Sequence, residues 1–140
     1  MPDSVRSDSI IPRIDNLHYD VMSMAFDPTT KTFSEPELEV ACAERSRSAA
    51  VPRVSPDGRY LLFTEGKRGQ FHIWHPEADL YVKDLQTDSV RLLSNASGEG
   101  PDSYHTWSSN GRWIVVATRR EEGSYSRVYI SVAHVRNMIV

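Results

Sequence analysis

The sequence predicts an all-β protein of antiparallel four-stranded blades, forming a partial, open β-propeller of about two and a half blades. Three observations lead there. A strand–turn–strand unit at Val51–Glu65 returns, altered, at His105–Thr118, offset by 53 residues when Gly58 is set on Gly111. Asp20-Val21-Met22 is echoed by Asp79-Leu80-Tyr81 at an offset of 59, and Asp79-Leu80-Tyr81-Val82 by Arg127-Val128-Tyr129-Ile130 at 48. Short strand-like runs and turn clusters fill the intervals, and self-similarity of this period, built from four short strands, is the signature of propeller blades.

The repeated unit reads as a β-hairpin. The 53-residue offset pairs Ser55 with Ser108, Asp57 with Asn110, Arg59 with Arg112 and Tyr60 with Trp113. Pro56 presets φ, Asp57 and Asn110 can bond their own backbone, and Gly58 and Gly111 accept positive φ cheaply. Asp57, Gly58, Asn110 and Gly111 are therefore assigned as structural turn residues. The runs that follow, Leu61-Leu62-Phe63 and Ile114-Val115-Val116, are apolar, without Pro or Gly. They suit strands covered on both faces. Arg59 and Arg112 are expected at the mouth of each turn, in solvent.

Taken in order, residues 1–17 form a polar lead-in, expected to be poorly ordered, with Ile10, Ile11 and Ile14 to anchor it. Residues 18–40 supply the outer two strands of a first blade. Tyr19, Val21, Met22, Met24 and Phe26 mark one, Asp27–Lys31 the turn, and Thr32–Val40 the return, which Pro36 makes edge-like. Residues 41–50 break the strand pattern and are expected to be an inserted loop or short helical turn, the Arg45-Ser46-Arg47-Ser48 core solvated. Residues 51–94 make a complete blade, with strands at 79–85 and 90–94 after an aromatic excursion at Gln70–Pro76. Residues 104–133 give most of a third, after a Gly/Ser/Asn/Asp loop at Asn95–Ser103. His134–Val140 extends the last strand or dangles.

Composition narrows the class without naming a function. The 140 residues fit one domain, and a net charge of −3 offers no electrostatic case for nucleic acid or a membrane surface. The single cysteine, Cys42, leaves no intrachain disulfide and reads as a small buried or half-buried residue. No run approaches the roughly 18–20 apolar residues of a membrane span. The first eight residues hold no apolar segment of the kind a signal peptide requires.

No catalytic constellation is visible, and no cofactor or metal is expected. His72, His75 and His105 are the one group with ligand chemistry. His72 and His75 flank Ile73-Trp74, so in a regular strand they point to opposite faces, and no His-Glu-x-x-His motif or Cys pair accompanies them. They read as loop histidines packing with aromatics at a propeller rim. His72, Trp74, His75, Tyr104 and His105 together form a candidate protein-binding rim, since aromatic clusters mark such surfaces. Asp57, Asp79 and Asp84 sit at turn or strand-entry positions, where hydrogen bonds to nearby backbone are their expected use. The serines lack a Gly-x-Ser-x-Gly elbow.

Ser55-Pro56-Asp57-Gly58-Arg59-Tyr60-Leu61-Leu62-Phe63, followed by Asp79-Leu80-Tyr81-Val82-Lys83-Asp84-Leu85, resembles the WD40-like (PD40) β-propeller repeat of TolB-like proteins. Phe71–Trp74 and Tyr104–Arg120 resemble a Bacteroidetes-type group within it. The resemblance covers about residues 18–133, with 43–50 as an exception. It implies a periplasmic or envelope setting and a non-catalytic scaffold that presents loops to a protein partner. Propeller segments of prolyl-oligopeptidase-type hydrolases, with the catalytic domain elsewhere, are the alternative. A closed propeller needs about four to eight blades. The chain is therefore expected to be a fragment of a larger propeller, a truncated product, or a protein that self-associates through its exposed blade faces.

Overall fold

In a computed structural model the described residues are 16–121 and 124–133. Residues 1–15 of the lead-in expected over 1–17, and the tail at 134–140, lie outside them. Eleven strands are described, all paired antiparallel, in sheets of two to four strands. The chain is an all-β, open row of blades.

The first blade is a broken hairpin. β1 (Val21–Ser23) pairs with β4 (Glu37–Val40), and β2 (Phe26–Asp27) with β3 (Thr32–Phe33). The long return strand expected over 32–40 is interrupted at Ser34–Pro36 because proline gives the ladder no donor. Ser34 repairs the gap, its N–H donating to the Ala25 carbonyl and its hydroxyl accepting from the Ala25 N–H, both at 2.9 Å. Asp27 closes the tip, where its carboxylate accepts the Thr29 N–H at 2.8 Å.

The second blade holds β5 (Ser48–Val54), β6 (Tyr60–Gly66), β7 (Asp79–Asp84) and β8 (Ser89–Leu92), side by side in that order. Its first strand corrects the expected loop at 41–50. The loop ends early, because Ser48, Ala49 and Ala50 pair with Gly66, Glu65 and Thr64. Only Ala43–Arg45 forms a 3-10 turn. The third blade has three strands, β9 (Asp102–Trp107), β10 (Trp113–Thr118) and β11 (Arg127–Val132), with β10 central.

The two hairpin turns match bond for bond. Ser55 Oγ donates to Asp57 Oδ1 at 2.6 Å and accepts the Tyr60 N–H at 2.9 Å. Ser108 Oγ donates to Asn110 Oδ1 at 2.7 Å and accepts the Trp113 N–H at 3.0 Å. Asp and Asn are interchangeable here because only an acceptor oxygen is used. Gly58 and Gly111 close the turns at φ +73° and +66°. Register carries the repeat further. Tyr60 pairs with Asp84 and Trp113 with Val132, which reproduces the offsets of 53 and 48.

Two cores result, one on each side of the second blade. Leu61 and Phe63 pack toward Val21, Val40 and Cys42 of the first blade side. Tyr60, Leu62, Leu80 and Val82 pack toward Ile114 and Val116 of the third. Every residue of β6 is therefore buried. β10 departs from that expectation. Ile114 and Val116 are buried, while Trp113 stays 45% exposed on a face that no described residue covers. Arg59, expected in solvent, ion-pairs with Asp84 at 2.8 Å and lies over the Tyr60 ring.

Candidate functional site

The site is built at the end of the blades opposite the Asp-Gly and Asn-Gly turns, where β6 passes to β7. The connection folds back because its middle is a 3-10 turn, His72–Trp74, entered through Phe71 at φ +58°. The left-handed entry turns Phe71 outward. Gly66 admits the fold, since a Cβ there would lie 3.0 Å from the His72 ring. Trp74 also faces outward, and the Arg119 guanidinium of the third blade lies over its ring at 3.9 Å. Phe71 and Trp74 are each 68% exposed.

A second outward aromatic comes from β9. Tyr104 sits at φ +43°, in a bulge where the β9–β10 register slips. The same irregularity occurs 53 residues earlier, at Val51 (φ +54°), where the β5–β6 register slips. Bulges re-aim side chains. Here Val51 and Tyr104 line one hollow of about 300 Å³ with Tyr19, Pro52, Gln70 and Phe71. Tyr19, Gln70 and Phe71 also border a neighbouring hollow of about 390 Å³, which His75 helps to line.

Of the five residues assigned to the rim, Trp74, His75 and Tyr104 reach it, and His72 and His105 do not. His72 is fully buried, its Nε2 3.2 Å from the Gly69 carbonyl. Its basicity is lowered, by burial first and by His75 next. The expectation that His72 and His75 point apart fails because the segment is a 3-10 turn, and the two rings meet edge to face at 5.4 Å. His105 alternates with Tyr104 along β9 and so points inward. Its Nδ1 lies 3.4 Å from Thr64 Oγ1, and its Nε2 is buried without a hydrogen-bond partner among the described residues. Burial holds it neutral down to a pKa of about 4, only partly offset by the backbone of Leu62 and Val51. Among the described residues no three His, Cys, Asp or Glu side chains gather as a metal set. Phe71, Tyr19 and Arg119 join the rim without having been picked from sequence. The repeat offset between Val51 and Tyr104 was the one available signal for the hollow.

Ion pairs tie the connections at this end to the blades. The connection from the first blade to the second is clamped by Glu65, buried on β6, which takes Arg45 at 2.9 Å and Arg47 at 3.0 Å. Burial works to raise the Glu65 pKa, but the bonds from Arg45 and Arg47 outweigh it and hold the carboxylate charged. Cys42 Sγ donates to Glu65 at 3.4 Å, and burial followed by that charge pushes its thiol up to about 12. Asp20 Oδ1 accepts both the Cys42 and Ala43 N–H groups at 2.7 Å. The connection from the second blade to the third is held likewise. Asp102, fully buried, takes Arg120 at 3.0 Å and the Gly98 N–H at 2.8 Å. Among the acids read as turn residues, Asp84 is held below its usual range by Arg59, whereas Asp79 is raised, first by burial and then by Asp102.

No family model matches the chain, and no curated protein matches it. Among solved structures it is similar to the crystal structure of TolB from Acinetobacter baumannii, at a TM-score of 0.53 and 20% identity. The match covers 83% of this chain and 27% of that one, so this chain spans about a quarter of its length. At that identity the likeness shows the fold alone, a TolB-like propeller sector. Among the described residues no helix is long and apolar enough to cross a membrane.

Proposed function

We propose that this chain is a non-catalytic, TolB-like propeller scaffold that binds a protein partner through Phe71, Trp74 and Tyr104, and that its blades form a sector of a larger propeller in the periplasm or cell envelope. The observation that carries the binding role is the exposure of Phe71 and Trp74, 68% each, on a connection whose neighbours are pinned by ion pairs to buried carboxylates. Rigid, exposed aromatics bind with little loss of side-chain freedom, and hot spots are drawn from Trp, Tyr and Arg. The chemistry around them suits binding better than catalysis. The Cys42 thiol is buried and pushed to about 12, outside the range of a nucleophile. His105 is neutral and sealed from the hollow. The envelope setting rests on the family resemblance, and the larger propeller on the faces of the first and third blades that no described residue covers.

A photo-crosslinking residue at Phe71 is expected to give a discrete protein adduct in cells, and one at Val90 on the outer strand none. Trp74→Ala is expected to weaken binding of the partner so recovered by about tenfold or more, the range of an interface hot spot. Equal adducts at both positions, or binding unchanged by Trp74→Ala, overturns the reading.

A further inference from the structure

We infer that the face of the third blade left open by the described residues is a blade-docking surface, and that its occupant is the first blade of a second copy of this chain, stacked head to tail. The inference rests on the sector reading above. The second blade shows what such a face looks like when filled. Tyr60, Leu62, Leu80 and Val82 are buried there against the third blade. The offsets of 53 and 48 place Trp113, Val115, Val128 and Ile130 at the same four positions one blade on. They lie on one face, because Val115 pairs with Ile130 and Ala117 with Val128. Val128 is 70% and Ile130 68% exposed.

The complementary face lies at the other end of the row. Tyr81 of β7, partnered by Leu92, is packed with the core shared with the first blade. The 59-residue offset puts Met22 at the Tyr81 position, and Met22 is partnered by Leu38. These two are 51% and 54% exposed. One end of the molecule thus offers the surface a blade turns to its successor, and the other the surface a blade turns to its predecessor. Docking one on the other repeats the outer-strand part of the contact between the second and third blades, where Tyr129, 48 residues beyond Tyr81, packs on the shared core. It pairs unlike surfaces, so it is a heterologous contact that propagates. Charge agrees with this polarity. Exposed Arg112 adjoins Trp113 at the turn end of the third blade, and exposed Glu35 and Glu37 precede Leu38 at the same end of the first.

The test is sedimentation velocity on the intact chain from about 1 to 100 µM, a range in which mass action exposes weak self-association. The wild type is expected to grow in mean mass past the dimer. Ile130→Glu blocks one face and Leu38→Glu the other, and each alone is expected to weaken association by about tenfold or more. Mixed in equal amounts, the two variants are expected to form a heterodimer and nothing larger, since each retains one intact partner face. A wild type that stays monomeric, a Leu38→Glu variant that still dimerises, or a mixture that stays monomeric overturns the inference. Ile130→Thr, expected to fall between wild type and Ile130→Glu, and matching far-ultraviolet spectra guard against misfolding. Trp74→Ala is expected to leave sedimentation unchanged, so failure here and failure of the rim reading are distinguishable.

Discussion

Glu65 and His105 are neighbours of very different kinds on the two sides of β6. Glu65 had no visible partner in the sequence, since Arg45 and Arg47 lie 20 and 18 residues away in a segment that read as solvated. Only the pairing of Ser48 with Gly66 brings that segment alongside. His105 reads as a surface histidine beside Tyr104 until strand alternation turns it inward. Each leaves its own mark on pH dependence. The folded pKa of His105, about 4, is depressed below its ordinary 6.5 by burial. The unfolded chain therefore binds the extra proton between those values, and stability is full above pH 6.5 and falls as pH drops toward 4. The loss over that window is about 3 kcal/mol from this group. Glu65, with its pKa lowered from 4.5, adds a loss only at still lower pH. Urea unfolding at a series of pH values is expected to show the upper slope in the wild type and a clearly shallower one in His105→Gln. The remainder belongs to His72, which is shifted in the same direction. Equal slopes in the two proteins would remove His105 as the cause.

At the scale of the element, the hairpins were the most legible part of the chain. A serine, an acceptor side chain and a glycine at fixed spacing specify the turn, and the apolar run after it specifies the strand. The start of β5 was not legible. Ser48, Ala49 and Ala50 have little strand preference of their own, and take strand geometry from pairing with β6. The bulges were hidden for another reason, since nothing in Val51 announces a left-handed backbone. A β-branched residue at φ +54° is strained, and Pro52 restricts it further toward extended geometry. Such strain costs on the order of 1–3 kcal/mol. Val51→Gly is therefore expected to leave stability unchanged or raise it by up to about 1 kcal/mol, since glycine adopts that conformation freely. Val54→Gly, later on the same strand, relieves no strain and is expected to lose about 1 kcal/mol. Denaturant midpoints of the two variants decide it, and a loss at Val51 equal to that at Val54 would sink the strain argument. The bulge aims Val51 and Tyr104 into the hollow, so the strain is stored at the candidate binding end.

At the scale of the whole molecule, the burial of each blade depends on its neighbours. β6 is covered on both faces because a blade lies on each side of it, and β10 shows the same sequence pattern with one side filled. The apolar run could be read from the sequence, but the number of neighbours could not, because coverage is a property of the row and not of the strand. Stability in such an array is a sum of blade terms and interface terms. A chain whose end faces are filled by further copies should therefore be more stable at higher concentration. Where unfolding requires dissociation, each tenfold rise in concentration adds about 1.4 kcal/mol, a shift of a few degrees in Tm for a domain of this size. Thermal melts of the wild type over a hundredfold range of concentration are expected to move upward by several degrees. Those of Ile130→Glu should stay together, near the lowest wild-type value, because only the interface term has been removed from an exposed position. A Tm independent of concentration in both proteins would mean that the uncovered face contributes nothing in solution. A parallel rise in both would place the contact elsewhere on the molecule.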